Sequence, residues 1–155
     1  MPLTSRSLDS ASGRVSHSWS MAVPAGHVWS ALTDPEALPH WLGTMVSGEF
    51  VVGDTVTIEH ADNYACTSRI LECEPGRLLG MTWEFPGEPT SRLRIGLAPA
   101  GASTHVALQH DGLAHEAANY LPGWHTHLLY LEALLLGRPL SMADFWSTYD
   151  ALASC

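Results

Sequence analysis

The sequence predicts an α+β domain in which an antiparallel, curved sheet of about seven strands wraps around one long C-terminal helix. The first observation is a series of short segments between residues 14 and 110 in which apolar and polar residues alternate. The second is a later stretch in which Trp124, Leu128, Leu131 and Leu135 recur at helical spacing. Since a sheet that is apolar on one face needs one cover, we expect this helix to lie across the sheet.

The first strand and two short helices are predicted from the beginning of this pattern. Val15, His17, Trp19 and Met21 fall on one side of a strand over residues 14–23, with serines on the other. Pro24 ends that strand and suits the first turn of a helix over 25–32. An Asp-Pro pair at 34–35 is typical of a helix start and predicts a second short helix up to about residue 43.

Six more strands and two more helices complete the prediction. Turn residues, mostly Gly, Pro and Asp, separate strands over 45–52, 55–60, 64–73, 78–85, 91–98 and 103–110. By parity with Ile70, Glu72 is expected to point inward. The long helix should span about 116–137, where Gly137 and Pro139 end it. Phe145, Trp146, Tyr149 and Leu152 predict a short final helix over 142–152.

Length and composition indicate one globular domain. The 155 residues, 46% apolar and 15% charged, suffice for one core. Residues 1–12 are small and polar, so we expect a flexible N-terminal arm, followed by a single domain over 13–155.

Charge and cysteine content exclude several classes of function. With a net charge of −9 and seven Lys plus Arg, the chain lacks the basic surface that nucleic acids and anionic membranes require. Three cysteines without paired spacing do not indicate a disulfide framework. Neither a signal peptide nor a membrane-spanning apolar run is visible, so a cytoplasmic location is expected.

Several motifs together resemble the START-like, Bet v 1-like (SRPBCC) superfamily, which has a helix-grip fold. Within it, they are most similar to the branch related to the C-terminal domain of the Hsp90 ATPase activator. The chain departs from that branch at Leu42, where a second aromatic residue is usual, and at His17, where an aliphatic residue is usual. The motifs are Val23–Pro24–Ala25–Gly26–His27–Val28–Trp29, the Thr33–Asp34–Pro35 that follows, His40–Trp41–Leu42, residues 70–75, Thr82–Trp83–Glu84, residues 108–113 and Gly123–Trp124.

This resemblance implies a ligand cavity between the sheet and the long helix. The leading hypothesis is binding of a small hydrophobic molecule, aromatic or polycyclic, without cofactor or metal. Two alternatives stay open: an enzyme of the polyketide cyclase or dehydratase type that uses the same cavity, or a protein-interaction module like the Hsp90 activator domain. The superfamily contains all of these, so the fold alone does not choose among them.

Inward parity selects the candidate site residues. His110 and His17 are the candidate acid–base groups, since an imidazole can transfer protons near neutral pH. By parity His17, His60 and His110 all fall on the apolar face, and converging imidazoles could bind zinc, but no metal-binding spacing supports such a site. The exposed edges of an open sheet leave a homodimer open. The predicted ligand-binding residues are His17, Trp19, Met21, Trp41, Met81, Trp83, Phe85, Ile95, Leu97, Leu108, His110, Trp124, His127, Leu128 and Leu131.

Overall fold

The computed structural model describes residues 3–61 and 64–154, and within them eight strands form one antiparallel sheet. The strands are β1 (Leu3–Asp9), β2 (Arg14–Met21), β3 (Thr44–Ser47), β4 (Thr55–Ala61), β5 (Tyr64–Glu74), β6 (Leu78–Trp83), β7 (Ser91–Ala100) and β8 (Ser103–Asp111). Their order across the sheet is β1-β2-β8-β7-β6-β5-β4-β3, so β1 and β3 are the edges.

Three helices of the described residues lie on the inner side of this sheet. They are α1 (Ala25–Thr33), α2 (Ala117–Leu135) and α3 (Phe145–Ala153), with short 3-10 turns at Leu38–His40, Ala114–Glu116 and Met142–Asp144. The second short helix of the prediction is therefore only a 3-10 turn. The long helix α2 buries Trp124, Leu128 and Leu131 against the sheet, and α3 packs on α2. This arrangement confirms the predicted helix-grip fold.

The predicted inner faces are buried as the alternation indicates. On β2 the exposed fraction of Val15, His17, Trp19 and Met21 is 1% or less. No helix of the described part of the chain combines the length and apolar character needed to cross a bilayer.

The prediction of a flexible N-terminal arm over residues 1–12 is wrong for residues 3–9, which form edge strand β1. Residues 1–2 lie outside the described residues. This strand raises the strand number from about seven to eight. Its apolar residues Leu3 and Leu8 have opposite parity, so the sequence shows no alternation there. Backbone pairing with β2 holds it, and Arg6 contacts α2, where its Nη1 lies 3.2 Å from Nδ1 of His125.

Glu72 is a second correction, since its side chain is exposed rather than inward. The pairing of β5 with β6 shifts register between Ile70 and Glu72, which reverses the parity of the residues that follow. On the outer face the Glu72 carboxylate accepts a hydrogen bond from Nε of Arg94 at 3.2 Å.

Gly13, in the turn between β1 and β2, packs closely against the segment that precedes α2. Its φ is +65°, and its carbonyl accepts a hydrogen bond from the Leu113 N–H at 3.0 Å. A Cβ at this position would lie 2.5 Å from the backbone nitrogen of Ala114, so only glycine fits. The start of α2 is thereby held at a fixed distance from the first hairpin.

Candidate functional site

A cavity of about 470 Å³ lies at one end of the sheet, between β4–β6, the N-terminal half of α2 and α3. Aromatic rings form most of its wall. The lining residues are Leu42, His60, Tyr64, Trp83, Phe85, Glu88, Glu116, Asn119, Tyr120, Gly123, Trp124, His127, Met142, Phe145, Trp146 and Tyr149.

Four of the predicted ligand-binding residues line this cavity, namely Trp83, Phe85, Trp124 and His127. The remaining candidates are buried elsewhere in the core, where the central part of α2 packs closely on the sheet. These residues are His17, Trp19, Met21, Trp41, Met81, Ile95, Leu97, Leu108, His110, Leu128 and Leu131.

His110 lies directly behind the cavity wall with both ring nitrogens occupied. The indole N–H of Trp124 donates to His110 Nδ1 at 3.0 Å, which leaves the ring proton on Nε2. That Nε2–H donates to Ser91 Oγ at 2.7 Å, and the Ser91 hydroxyl donates to the Trp83 carbonyl at 3.2 Å. Burial lowers the pKa of His110 to about 3, so the ring is neutral at pH 7. In this arrangement neither nitrogen can take part in proton transfer in the cavity.

His17, the other candidate acid–base residue, faces a different part of α2. Its Nε2–H donates to the carbonyl of Leu121 at 2.9 Å, and its buried Nδ1 finds no partner among the described residues. Burial lowers the pKa of His17 to about 4. Because His17 is absent from the cavity lining, the geometry does not bring the two predicted acid–base residues to one site.

His127 is the imidazole on the α2 side of the wall. Its Nδ1–H donates to the Trp41 carbonyl at 2.8 Å, so Nε2 is left as a hydrogen-bond acceptor. Burial lowers the pKa of His127 to about 4, although the bond to Trp41 acts in the opposite direction. Trp41 is itself anchored, since its indole N–H donates to the Ala31 carbonyl at 2.9 Å.

His60 lies opposite, on β4, with its ring centroid 6.1 Å from that of His127. Its edges face Trp83 and Phe85, with ring centroids 5.5 and 5.1 Å away. Burial, and secondarily the neighbouring His127, lowers the pKa of His60 to about 3. The Nε2 of His60 is buried and has no hydrogen-bond partner among the described residues.

A third polar group consists of Tyr120 on α2 and Glu88 in the loop after β6. The Tyr120 hydroxyl donates to Glu88 Oε1 at 2.8 Å and accepts a bond from the Trp83 indole N–H at 3.2 Å. Burial, followed by the hydrogen bond to Glu88, raises the pKa of Tyr120 above its usual range. This chain of bonds fixes the Trp83 ring. The Tyr120 ring also packs against His110, with ring centroids 5.1 Å apart.

Sequence reasoning missed the α3 part of the wall and the Tyr120–Glu88 pair. The aromatic residues Phe145, Trp146 and Tyr149 were visible as a helical pattern, and that pattern was interpreted only as packing. Trp146, 65% exposed, stands at the rim, while Phe145 is buried. For His60, inward parity was the available signal.

No group of three or more His, Cys, Asp or Glu side chains within residues 3–61 and 64–154 is arranged to hold a metal ion.

The fold and the cavity define a helix-grip protein with an aromatic pocket between sheet and helices. The chain belongs to the family described as activator of Hsp90 ATPase homolog 1-like protein, whose family model matches residues 22–135. This match confirms the resemblance drawn from the motifs. No curated protein matches the chain.

Solved structures share the fold at low sequence identity. CalU16 from Micromonospora echinospora is 25% identical with a TM-score of 0.74, and the match covers 91% of this chain and 86% of CalU16. DynU16, a protein in the dynemicin biosynthetic locus, is 23% identical with a TM-score of 0.74, over 82% of this chain and 49% of DynU16. The Aha1 dimer from Colwellia psychrerythraea is 21% identical with a TM-score of 0.67, over 79% of this chain and 95% of Aha1.

Proposed function

We propose that the protein binds a small hydrophobic molecule, aromatic or polycyclic, in the cavity between α2, α3 and the β4–β6 end of the sheet. The observation that carries this proposal is the cavity of about 470 Å³ that is lined mainly by aromatic rings. Ligand pockets of small molecules typically have 300–1,000 Å³ and apolar walls with a few polar groups. Aromatic walls favour flat apolar ligands through offset stacking and edge-to-face contacts.

Hydrogen bonds fix the orientation of two wall tryptophans, and this supports a cavity that its own side chains do not fill. Trp83 is tied through its indole N–H to Tyr120, and Trp124 is tied to His110. Rotating either ring inward would leave a buried donor unpaired, at a cost of about 1–3 kcal/mol. DynU16, whose fold this chain shares, is a protein in a biosynthetic locus, and that setting is compatible with a small-molecule ligand.

Filling the cavity from α2 tests the proposal. Gly123 lines the cavity, and a Cβ there would meet only Tyr149, at 3.8 Å. We expect Gly123→Leu to weaken binding of the neutral fluorescent probe N-phenyl-1-naphthylamine by about tenfold or more, because the leucine occupies the probe's volume. The matched control is Gly26→Leu on α1, where a Cβ meets nothing within 4 Å and binding should be unchanged.

Two results would overturn the proposal. One is a wild-type protein that gives no fluorescence enhancement and no ligand-induced rise in melting temperature with polycyclic aromatics. The other is a Gly123→Leu variant that binds the probe as well as wild type. Either would favour the alternative of a protein-interaction module.

A second candidate is a reaction of the cyclase or dehydratase type in the same cavity. The observation in its favour is the Tyr120–Glu88 pair of the cavity wall, a hydroxyl and a carboxylate 2.8 Å apart that can serve as proton donor and acceptor toward a bound substrate. Tyr120→Phe would then abolish turnover of a bound polyketide and leave its affinity within about twofold. Equal turnover by the variant would contradict this role.

We also propose a homodimer, which the solved dimer of Aha1 supports by analogy of fold. The edge strands β1 and β3 offer unpaired backbone groups for such an association. Light scattering at micromolar concentration should give twice the chain mass of 16.8 kDa. A mass of one chain at all concentrations would rule the dimer out.

A further inference from the structure

We infer that the cavity selects a neutral aromatic ligand with a hydroxyl group, seated so that the hydroxyl lies against His60 and His127, and that it rejects the corresponding carboxylates. This inference rests on the proposed binding function and deepens it, because it names the chemical class of the ligand. It follows from the two neutral imidazoles of the wall and from its charged residues, which are both acidic.

The two imidazoles offer ring nitrogens without protein partners to a ligand, and that of His127 is an acceptor. His127 has committed its Nδ1–H to the Trp41 carbonyl, so its other nitrogen carries a lone pair. His60 contributes a buried Nε2 without a partner among the described residues, 6.1 Å away between ring centroids. A buried unpaired nitrogen is costly, and a ligand donor beside the two rings would remove that cost. At His127 the ligand must therefore bring the proton, and a hydroxyl can pair with either tautomer of His60.

The charge state of these rings excludes an anionic partner. Burial keeps the pKa of His127 at about 4 and that of His60 at about 3. Both rings are therefore uncharged near pH 7 and offer a carboxylate no positive charge. The N–H of His127 is already bonded to Trp41 and cannot donate to the carboxylate. An anion that leaves water without a compensating partner is strongly disfavoured.

The rest of the wall also disfavours binding of an anion. Its charged residues are Glu88 and Glu116, both acidic, and none of the chain's seven arginines lines it. The Tyr120 hydroxyl, a donor that could have received an anion, is already bonded to Glu88. A negative ligand would meet like charge and no free cation, whereas an aromatic hydroxyl meets acceptors and ring faces.

A matched set of naphthalenes tests this selectivity at pH 7. The probes are 2-naphthol, 2-methoxynaphthalene, 2-naphthoate and 2-naphthylmethylammonium, which share one ring system and differ in donor and charge. Binding is followed by NMR titration of the indole N–H signals of Trp83 and Trp124 in the ¹⁵N-labelled protein. We expect 2-naphthol to bind about threefold to tenfold more tightly than the methyl ether, which corresponds to one net hydrogen bond. We expect its affinity to exceed that of 2-naphthoate by about tenfold or more.

Two substitutions locate the hydroxyl. His127→Phe and His60→Phe keep an aromatic ring and remove the acceptors, so the preference for 2-naphthol over its methyl ether should fall to about one. Since Nε2 of His60 has no hydrogen-bond partner among the described residues, His60→Phe should fold normally even if His127→Phe does not. His105→Phe is the control, because His105 is exposed on the opposite face of the sheet and its replacement should leave the preference intact.

The outcomes distinguish failure of the hydroxyl selectivity from failure of the proposed ligand-binding function. If none of the probes shifts the two indole signals, the proposed binding function itself fails. If the probes bind but the methyl ether, the carboxylate or the ammonium equals or exceeds 2-naphthol, only the hydroxyl selectivity is overturned. The same holds if the preference survives in both His60→Phe and His127→Phe.

Discussion

At the scale of single residues, His110 links two tryptophans of the cavity wall, Trp83 and Trp124, whose ring centroids lie 5.2 Å apart. Trp124 on α2 donates to one ring nitrogen, and the other nitrogen donates to Ser91, which in turn bonds the backbone of Trp83 on β6. Both ring nitrogens of His110 and the Ser91 hydroxyl have partners in this series of hydrogen bonds. Burial of the imidazole therefore leaves none of its polar atoms unpaired. His110 thus positions the wall and does not touch the cavity.

Breaking this chain should destabilise the protein. We expect Ser91→Ala and His110→Phe each to lower the free energy of unfolding by about 1–3 kcal/mol, because each leaves a buried donor or acceptor unpaired. The double variant should cost clearly less than the sum, since both substitutions interrupt one network. Urea unfolding of the four proteins measures the coupling, and additive effects would show that the bonds act independently.

Residue parity, read from the sequence, placed His17, His60 and His110 on the inner face, and all three side chains are at least partly buried there. It could not indicate which nitrogen of each ring is used, because the partners come from α2 and from neighbouring strands. Parity also failed at Glu72, where a register shift between β5 and β6 turned the side chain outward. Such shifts leave little trace in a single sequence, since they depend on the pairing of two strands.

At the scale of elements, the position of the cavity is the feature that the sequence did not locate. Alternation predicts an apolar inner face along every strand, and it does so equally at both ends of the sheet. The structure leaves the cavity at the end where α2 carries Gly123 in place of a side chain and α3 supplies the far wall. Most predicted ligand contacts therefore lie in packed core, while the α3 aromatics form the site.

Strand β1 is the element whose stability contribution is most directly testable. Deleting residues 1–9 would expose the backbone edge of β2 and remove the contact between Arg6 and His125. We expect a lower melting temperature and aggregation that increases with concentration, because an unprotected edge strand pairs with other chains. Thermal unfolding and light scattering measure both, and an unchanged melting temperature would show that β1 adds nothing to the fold.

At the scale of the whole molecule, buried neutral histidines determine the response to acid. His17, His60, His110 and His127 each have a pKa of about 3–4 in the fold, lowered by burial from an ordinary value of 6.5. Below pH 6.5 the unfolded chain binds protons that the folded chain does not. The free energy of unfolding is therefore greatest above pH 6.5 and falls as the pH is lowered toward 4.

The size of this effect predicts acid unfolding at a mild pH. Four protons correspond to a limiting slope of about 5 kcal/mol per pH unit, against a typical total stability of about 5–15 kcal/mol. We expect unfolding between about pH 4 and 5.5, measured by circular dichroism, with a steep dependence of stability on pH in that window. His60→Phe should reduce the proton uptake by about one and move the midpoint to lower pH, whereas His105→Phe on the exposed face should not. Stability that stays constant from pH 7 to 5 would mean that these rings accept protons without unfolding, and that the core is open to water.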